Sequence, residues 1–432
     1  MKNDHLVFAF NWLPRDFGNQ EEKATFADLS ITVSGLLASE VEDRLAKTVR
    51  DSFRTSAYQL AYWFAENWWR LRWEPERENS DWQMSHDLCS IGGGYIWPNI
   101  SLFCDGEFIS VKSTRSQPNR GEPIRFLADF LTIVPANSFF RDLDSFISAI
   151  IERLTQRDLQ DTKLHQLWAE IVAERSDPDA TRWRKREAIL GLDPDSGSPE
   201  IIEGLNANGL TLGNDAVEEI AAAKTNETLA TIDNIHQQVK SSPHSIRIPD
   251  FSHLRLEVLQ GIKMDSLPWE KGETVALIIR KELGLGGAPV YNTKLGDIFS
   301  VPASIIDTSS DAVTAEMAAG YRENQSTDQM NVFLHRRPKT SRRFALMRLI
   351  GDHLMFNNDD RLLPATDTKT ARQKFQRAFA QEFLCPFESL NTFLENKPLT
   401  DDSFEEAAAY YDVSPLLVKS TLRNKGVLER DA

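Results

Sequence analysis

Short apolar stretches near the start of the chain predict β-strands, namely Leu6–Trp12 and residues 29–33. Residues 39–73 are predicted to form one long helix or two consecutive helices, because four large apolar side chains recur there at helical spacing. These side chains are Leu60, Phe64, Trp68 and Leu71. Residues 95–111 predict a hairpin with Asp105-Gly106 as its turn.

Helical spacing dominates the following region, residues 121–234. The clearest segments are residues 139–154, residues 163–174, and a helix that begins at Asp177-Pro178 and ends near Leu190-Gly191. A helix is also predicted after Pro268, with Ala276, Ile279 and Leu283 on one face, and a strand over residues 304–306. The pattern indicates an α+β fold that is mainly helical.

A chain of 432 residues predicts two or three domains. The pattern suggests three segments: an α+β, Trp-rich domain over residues 1–118, a mainly helical region over 119–250, and a C-terminal domain over 251–432. Ser241-Ser242-Pro243 lies near the second boundary.

Charge and composition narrow the classes of function. The net charge of -15 argues against a general nucleic-acid coat, although local basic clusters occur. Three cysteines without CxxC spacing argue against a disulfide framework. We find no apolar run of membrane-spanning length and no signal-peptide pattern at the N-terminus. We therefore expect a cytoplasmic protein without membrane contact.

Two clusters of aromatic and basic residues have two interpretations each. Trp69 and Trp73 are neighbours on a helix beside Arg70 and Arg72, so they suit either nucleobase stacking or a Trp-rich core. A core is favoured, because most large aromatic side chains are buried. The helix after Asp177 carries a basic set that suits either a phosphate backbone or pairing with acidic neighbours: Arg182, Arg184, Lys185 and Arg186.

The sequence of residues 343–353, RFALMRLIGDH, resembles the active-site helix of the ImmA/IrrE family of zinc metallopeptidases, Arg-Phe-x-x-Ala-His-Glu-Leu-Gly-His. The match rests on Arg343, Phe344, Leu346, Ile350 and Gly351. Other segments agree in order: the helix after Pro268, residues 330–335 as the family's edge strand, and residues 379–386 as its Phe-Ala-x-x-Leu-Leu-Met-Pro segment. The resemblance covers about two fifths of the chain and implies a gluzincin-like C-terminal domain.

Active members of this family bind zinc through two histidines one helical turn apart, with a glutamate as general base. The resemblance places Arg348 at the first ligand, Leu349 at the base, Asp352 at the second ligand and Gln373 at the third. His353 follows one residue late, about 100° round the helix from a ligand position. The resemblance thus implies a retained fold, no catalytic residues and no zinc.

Arg348 and Asp352 are spaced for an i,i+4 ion pair, which either replaces the metal as a tie or is an ordinary surface pair. A further alternative is an unusual metal site built from Asp352, His353, Asp359 and Asp360. The helix is preceded by a basic run that needs acidic partners or an anionic ligand: Arg336, Arg337, Lys339, Arg342 and Arg343. The candidate binding residues are Arg343, Arg348, Asp352, His353, Arg336 and Arg337.

The chain closes with a pattern similar to a helix-turn-helix. Ser403 and Glu406 predict a capping box, and Ser414 followed by Pro415 begins a second helix. The second helix carries Lys419, Arg423 and Lys425, so the pair either reads DNA or packs on the peptidase-like domain. Packing is favoured, because three basic residues are a weak signal for DNA binding.

Three functions follow from these observations. The first is a regulatory pseudopeptidase that binds a repressor or another protein partner without cleaving it, since the family acts on helix-turn-helix repressors in phage, mobile-element and stress-response settings. The second is an active, divergent zinc endopeptidase with shifted ligands. The third is a DNA-binding regulator that acts through residues 403–426 and the basic helix near Arg184.

Overall fold

The protein is described by a computed structural model. It describes residues 5–117, 122–254, 260–263, 265–307, 317–323, 328–335, 338–355 and 359–429. The chain forms two compact units, Met1–Ile202 and Glu203–Ala432, here called unit 1 and unit 2. The predicted α+β class is confirmed, and more of the described residues lie in helices than in strands. The three-segment division of the sequence stays a prediction.

Unit 1 contains three antiparallel sheets, ordered β1-β2-β3 with β6 paired to β2, β10-β8-β7, and β5-β4-β9. The strands are β1 Leu6–Trp12, β2 Phe26–Val33, β3 Leu36–Leu37, β4 Val41–Asp43, β5 Thr48–Arg50, β6 Phe53–Ser56, β7 Ile100–Cys104, β8 Phe108–Ser113, β9 Ile124–Phe126 and β10 Phe130–Pro135. The helices are α1 Gln20–Ala24, α2 Ala57–Glu66, α3 Trp68–Trp73, α4 Ser80–His86, α5 Ala136–Thr155, α6 Lys163–Ser176, α7 Pro178–Ile189 and α8 Pro199–Leu212, the last of which continues into unit 2.

The predicted strands at 6–12 and 29–33 are confirmed, as is the hairpin, whose strands are β7 and β8. The Asp105 carboxylate accepts hydrogen bonds from the backbone N–H groups of Glu107 and Phe108 at its turn. The prediction of helix over residues 39–56 is wrong, because this stretch forms β4, β5 and β6. β4 pairs with β9 and β6 pairs with β2, so partners distant in sequence determine its structure.

The aromatic cluster of α2 and α3 belongs to the core of unit 1. Trp68 packs edge-to-face against Phe140 and Trp168, with ring centroids 4.9 and 5.0 Å away. Trp69 is buried, and its Nε1–H donates to a Glu174 carboxylate oxygen at 2.8 Å. The core interpretation is therefore confirmed for Trp69. Trp73 is half-buried, and the Arg72 guanidinium lies 3.9 Å from the centroid of its ring.

The described residues of unit 2 contain one antiparallel sheet of the order β11-β13-β12-β14. Its strands are β11 Ser245–Arg247, β12 Ala318–Tyr321, β13 Gln329–Phe333 and β14 Leu362–Ala365. Its helices are α9 Asn214–Ala223, α10 Thr228–Lys240, α11 Pro268–Glu282, α12 Asn292–Phe299, α13 Ala303–Asp307, α14 Lys339–Met355, α15 Ala371–Leu384, α16 Phe387–Leu394, α17 Asp401–Tyr411 and α18 Pro415–Asn424. No helix within these described residues is long and apolar enough to cross a membrane.

Two predictions for unit 2 are wrong. Residues 304–306 lie in helix α13 and form no strand, and a short apolar run of this kind does not distinguish the two by pattern alone. Residues 330–335 supply β13, which pairs with β11 on one side and β12 on the other and is therefore not an edge strand.

Helices α11, α14 and α15 pack closely at two glycines. A Cβ at Gly272 of α11 would lie 2.6 Å from the Phe375 carbonyl oxygen of α15. A Cβ at Gly351 of α14 would lie 2.5 Å from Cδ1 of the Phe379 ring. Both glycines are needed because a side chain would separate the helices. This packing sets the position of α14 against α15, where the candidate site lies.

Candidate functional site

Arg348 of α14 and Gln373 of α15 come together inside unit 2. Arg348 Nη2 donates to Gln373 Oε1 at 2.5 Å and also to the carbonyl oxygen of Thr366. The same Gln373 oxygen accepts from the backbone N–H of Thr366 at 2.9 Å, and its Nε2 donates to the Pro364 carbonyl at 3.1 Å. Gln373 is completely buried and makes hydrogen bonds through both its oxygen and its nitrogen.

Asp352 pairs with a residue that the sequence did not identify, Arg372. The Asp352 carboxylate, itself fully buried, accepts from Arg372 Nε at 2.8 Å and from Nη2 at 2.7 Å. Arg372 Nη1 donates to Asp360 Oδ2 at 2.6 Å. The predicted Arg348–Asp352 pair is wrong, since Arg372 is the partner of Asp352 among the described residues and Arg348 contacts Gln373.

The charges around Arg372 oppose the effect of its burial. Burial alone lowers the pKa of Arg372. The charge of Asp352, its hydrogen bond and the charge of Asp360 together raise that pKa by more than burial lowers it, so the guanidinium remains charged. Burial raises the pKa of Asp360 to about 6, although Arg372 acts in the opposite direction. The arrangement is one buried cation shared by two carboxylates.

Helix α9 and the residues before it contribute to the same site. The Glu219 carboxylate of α9 accepts from Thr370 Oγ1 at 2.8 Å, and burial raises the pKa of Glu219 while the Arg372 charge lowers it. Gly213, at φ +107°, approaches Asp360 so closely that a side chain there would overlap the Asp360 carboxylate. The site therefore includes residues that the sequence assigned to the helical middle region.

The side chains at these positions do not fit a zinc ion. Zinc requires deprotonated nitrogen, sulfur or oxygen ligands, whereas Arg348 and Arg372 bring permanent positive charge. Across the described ranges, no group of three or more His, Cys, Asp and Glu side chains is placed to hold a metal. The alternative site of Asp352, His353, Asp359 and Asp360 therefore finds no support. Burial lowers the pKa of His353 to about 4, and no described residue forms a hydrogen bond with its Nδ1.

Leu349, at the general-base position of the resemblance, is fully buried in the hydrophobic core of unit 2. Its side chain has no group that can accept a proton. The four positions inferred from the resemblance thus hold a cation, an aliphatic side chain, a paired carboxylate and an amide.

The described part of the basic run is bound within unit 2. Arg343 is fully buried, and its Nη2 donates to the Val290 carbonyl at 2.5 Å while Nη1 lies 3.1 Å from an Asp412 carboxylate oxygen. Arg342 Nε donates to the Ile305 carbonyl at 2.8 Å. These contacts fix α14 to neighbouring segments, and Arg336 and Arg337 lie outside the described residues.

The two candidate DNA surfaces are largely neutralised by ion pairs. Lys419 of α18 lies 2.8 Å from an Asp401 oxygen, and Lys425, which follows α18, lies 2.7 Å from a Glu273 oxygen. In unit 1, Arg184 forms ion pairs with three carboxylates, those of Glu174, Glu187 and Asp195. These pairs favour packing and acidic neighbours over phosphate contact.

The caps of the last two helices were predicted with unequal success. Ser414 caps α18 by accepting from the Leu417 N–H at 3.2 Å, as predicted. The capping box at Ser403 and Glu406 is wrong, because α17 begins earlier, with Thr400 as its N-cap.

The sequence offered only weak signals for the residues that complete this site. Arg372 is adjacent to a predicted ligand position, Gln373, but no pattern indicates a role for it. The sequence suggests Asp360 only as a candidate metal ligand. Glu219 lies far away along the chain, so no local pattern connects it to α14. A buried carboxylate needs a cation or hydrogen-bond donors as partners, and at Asp352 that partner is Arg372.

Comparisons of this chain with protein-family models, with curated proteins and with solved structures give no match. The resemblance to the ImmA/IrrE family therefore stays a prediction that rests on residues 343–353 and the segments that agree with them.

Proposed function

We propose that unit 2 is a metal-free relative of the ImmA/IrrE-like peptidases that binds a protein regulator or a peptide segment in the cytoplasm without cleaving it. The observation that carries the proposal is the buried Asp352–Arg372–Asp360 network, at the place where the resemblance puts a zinc ligand. The guanidinium of Arg372 supplies the positive charge that a metal would otherwise bring. It joins α14, α15 and the segment that leads into β14.

The loss of hydrolytic chemistry follows from the same side chains. A zinc peptidase needs a metal with one open position and a base beside the bound water. Here Gln373 is completely buried and hydrogen-bonded, and Leu349 cannot accept a proton. Glu219 of α9 adds a further carboxylate beside this network and accepts a hydrogen bond from Thr370.

Without hydrolytic chemistry, a domain that resembles this family can still bind a protein partner. Family members act on helix-turn-helix repressors, so a relative without catalytic residues would bind the same class of protein without cleaving it. The rival proposals have less support: a zinc endopeptidase lacks ligands among the described residues. A DNA-binding regulator would have to contact phosphates with cations that carboxylates already neutralise.

The test uses the full chain and any helix-turn-helix regulator that proves to be encoded beside its gene. We expect a stable complex in size-exclusion chromatography, an unchanged regulator mass after incubation with added zinc, and no stoichiometric zinc in the purified protein after dialysis. Chelators should leave its melting temperature unchanged. Zinc-dependent cleavage of the regulator, or one tightly held zinc per chain, would overturn the proposal in favour of an enzyme.

A further inference from the structure

A cavity of about 550 Å³ in unit 1 has a strongly basic lining. It lies at the end of β1, beside helix α1 and the last turns of α5. Four cationic side chains line it, Arg15, Lys23, Arg153 and Arg157, against one carboxylate, Asp16. The chain as a whole is acidic, with a net charge of -15, whereas the side chains that line this cavity are mostly basic.

None of these four cations has an ion-pair partner among the residues that the structure describes. Other arginines of unit 1 do have partners: Arg175 lies 2.8 Å from Asp144, and Arg184 lies 2.7 Å from Glu174. The basic lining is thus not balanced by carboxylates of unit 1. Like charges brought together in this way repel one another unless an anion lies between them.

Arg15 is held in position by aromatic rings. Its guanidinium carbon lies 4.2 Å from the ring centroid of Phe17, 4.7 Å from that of Phe26 and 5.1 Å from that of Tyr95. Its Nε and Nη1 atoms are buried and have no hydrogen-bond partner among the described residues. A buried N–H donor without an acceptor is unfavourable, so these atoms indicate a site for an anionic oxygen.

Arg153, which also lines the cavity, is likewise held in position. Its guanidinium lies 4.8 Å from the Trp12 ring centroid, and its Nε donates to the Ala24 carbonyl at 3.0 Å. Phe10 stacks against Trp12 at 4.9 Å and supports that ring. Burial, together with the neighbouring charge of Arg157, lowers the pKa of Arg153, as expected where cations are crowded without a counter-ion.

We propose that this cavity binds a small ligand with at least two adjacent phosphate groups, such as pyrophosphate or the polyphosphate of a nucleotide. Two arginines held by aromatic rings give planar donors that suit phosphate oxygens. Lys23 and Arg157 add mobile charges at the rim. Four cations exceed what one monoanion would balance, and the volume lies in the range of ordinary small-molecule sites.

A nucleic-acid strand fits these observations less well. A strand would need a basic stripe that continues beyond the cavity and aromatic faces on which bases stack. The Trp12 ring already contacts Phe10 and Arg153. The charge is also confined to one cavity of an acidic chain.

The experiment is isothermal titration calorimetry of the full chain with three probes: pyrophosphate, ATP and a short single-stranded oligothymidylate. We expect one site for pyrophosphate or ATP, with an affinity that falls as the salt concentration rises. ATP binding more tightly than pyrophosphate would identify a nucleotide as the ligand class, and equal affinities would identify the polyphosphate group alone. Both results support the site.

The discriminating variant is Lys23→Gln with Arg157→Gln, because both residues are exposed and neither is needed for packing. We expect its affinity for the bound probe to fall at least about tenfold, since two charge-assisted contacts are lost. The matched control is Lys112→Gln with Arg182→Gln, which removes two charges from exposed positions of the same unit and should bind as the parent does. Melting curves check that both variants fold.

Three results would overturn the proposal. The first is no binding of either pyrophosphate or ATP. The second is equal binding by the parent and the Lys23→Gln, Arg157→Gln variant. The third is binding of the oligothymidylate without binding of either small probe, which would assign the cavity to nucleic acid. None of these results bears on unit 2, so this test is independent of the proposed binding function.

Discussion

Arg372 holds the Asp352 carboxylate through two parallel hydrogen bonds, from Nε to Oδ1 at 2.8 Å and from Nη2 to Oδ2 at 2.7 Å. The two residues lie on different helices, α15 and α14, and both are buried. A bidentate pair fixes orientation as well as distance, so it sets the position of one helix relative to the other. In a zinc peptidase the metal would provide this connection, and here a guanidinium provides it.

Arg372→Met should strongly destabilise α14 and α15, because it leaves the Asp352 and Asp360 carboxylates buried without their cation. Breaking a buried pair in this way costs about 3–5 kcal/mol. Hydrogen exchange followed by mass spectrometry should therefore show much faster exchange of peptides from both helices. The control is Arg247→Met in the same unit, because the Arg247 side chain is 64% exposed and its pair with Asp328 contributes little. Equal exchange in the two variants would mean that the network does not stabilise the helix pair.

A double-mutant cycle should separate the observed pair from the one predicted by helical spacing. We expect Arg372→Met and Asp352→Asn to be coupled by about 1–3 kcal/mol, because the residues are in direct contact. Arg348→Met and Asp352→Asn should be coupled more weakly than that pair, because the side chain of Arg348 contacts Gln373 and Thr366. Coupling energies of the same size in both cycles would mean that Arg348 and Asp352 interact directly.

Glu382 should make the stability of unit 2 depend on pH. Burial raises the pKa of Glu382 from 4.5 to about 7, with the Glu273 charge acting in the same direction, while the Phe387 N–H and the charges of Lys425 and Arg280 lower it. Between these two pKa values the folded protein binds a proton that the unfolded chain does not. Stability therefore falls as pH rises through this window, and the contribution is fully present only below the unfolded pKa.

Glu382→Gln should remove this dependence. His353 titrates in an overlapping window with the opposite sign, because its pKa is lowered to about 4, so the comparison must be between the variant and the parent. We expect the variant to gain stability over the parent by about 1–3 kcal/mol on going from about pH 5 to about pH 8. Denaturant unfolding at both pH values measures this difference. Glu388→Gln, which replaces an exposed carboxylate on α16, is the control and should show no such gain.

Local patterns predicted the elements whose structure depends on neighbours in sequence. β1, the β7–β8 hairpin and α5 were predicted in this way. The strands β4 and β6 were not, because their respective partners, β9 and β2, are distant in the chain. The site divides in the same manner: i,i+4 spacing detects pairs on one helix, whereas Arg372 reaches Asp352 from another. Glu219 lies on α9, and no pattern in the local sequence predicts that α9 is close to α14.

Introducing zinc ligands tests whether the resemblance aligns α14 with the correct residues of the metallopeptidase helix. The structure indicates that Arg372 must also be replaced in that test. The four-substitution variant is Arg348→His, Leu349→Glu, Asp352→His and Gln373→Glu, which places two imidazoles and a carboxylate around one point if the register is right. Arg372 would remain beside the new histidine at 352, and its charge opposes a divalent cation. We therefore expect the variant that also carries Arg372→Gln to bind zinc at least about tenfold more tightly than the variant without it.

Competition with a chromophoric chelator measures both zinc affinities, and circular dichroism checks that the variants fold. The single Arg372→Gln variant is the control and should take up no zinc, because it lacks the imidazole ligands. Proteolysis should stay weak or absent even in the loaded variant, since the groups that orient histidine ligands are not supplied by these substitutions. If both combined variants fold and neither takes up zinc, then Arg348, Asp352 and Gln373 do not occupy ligand positions, and the ImmA/IrrE-like register of α14 is wrong.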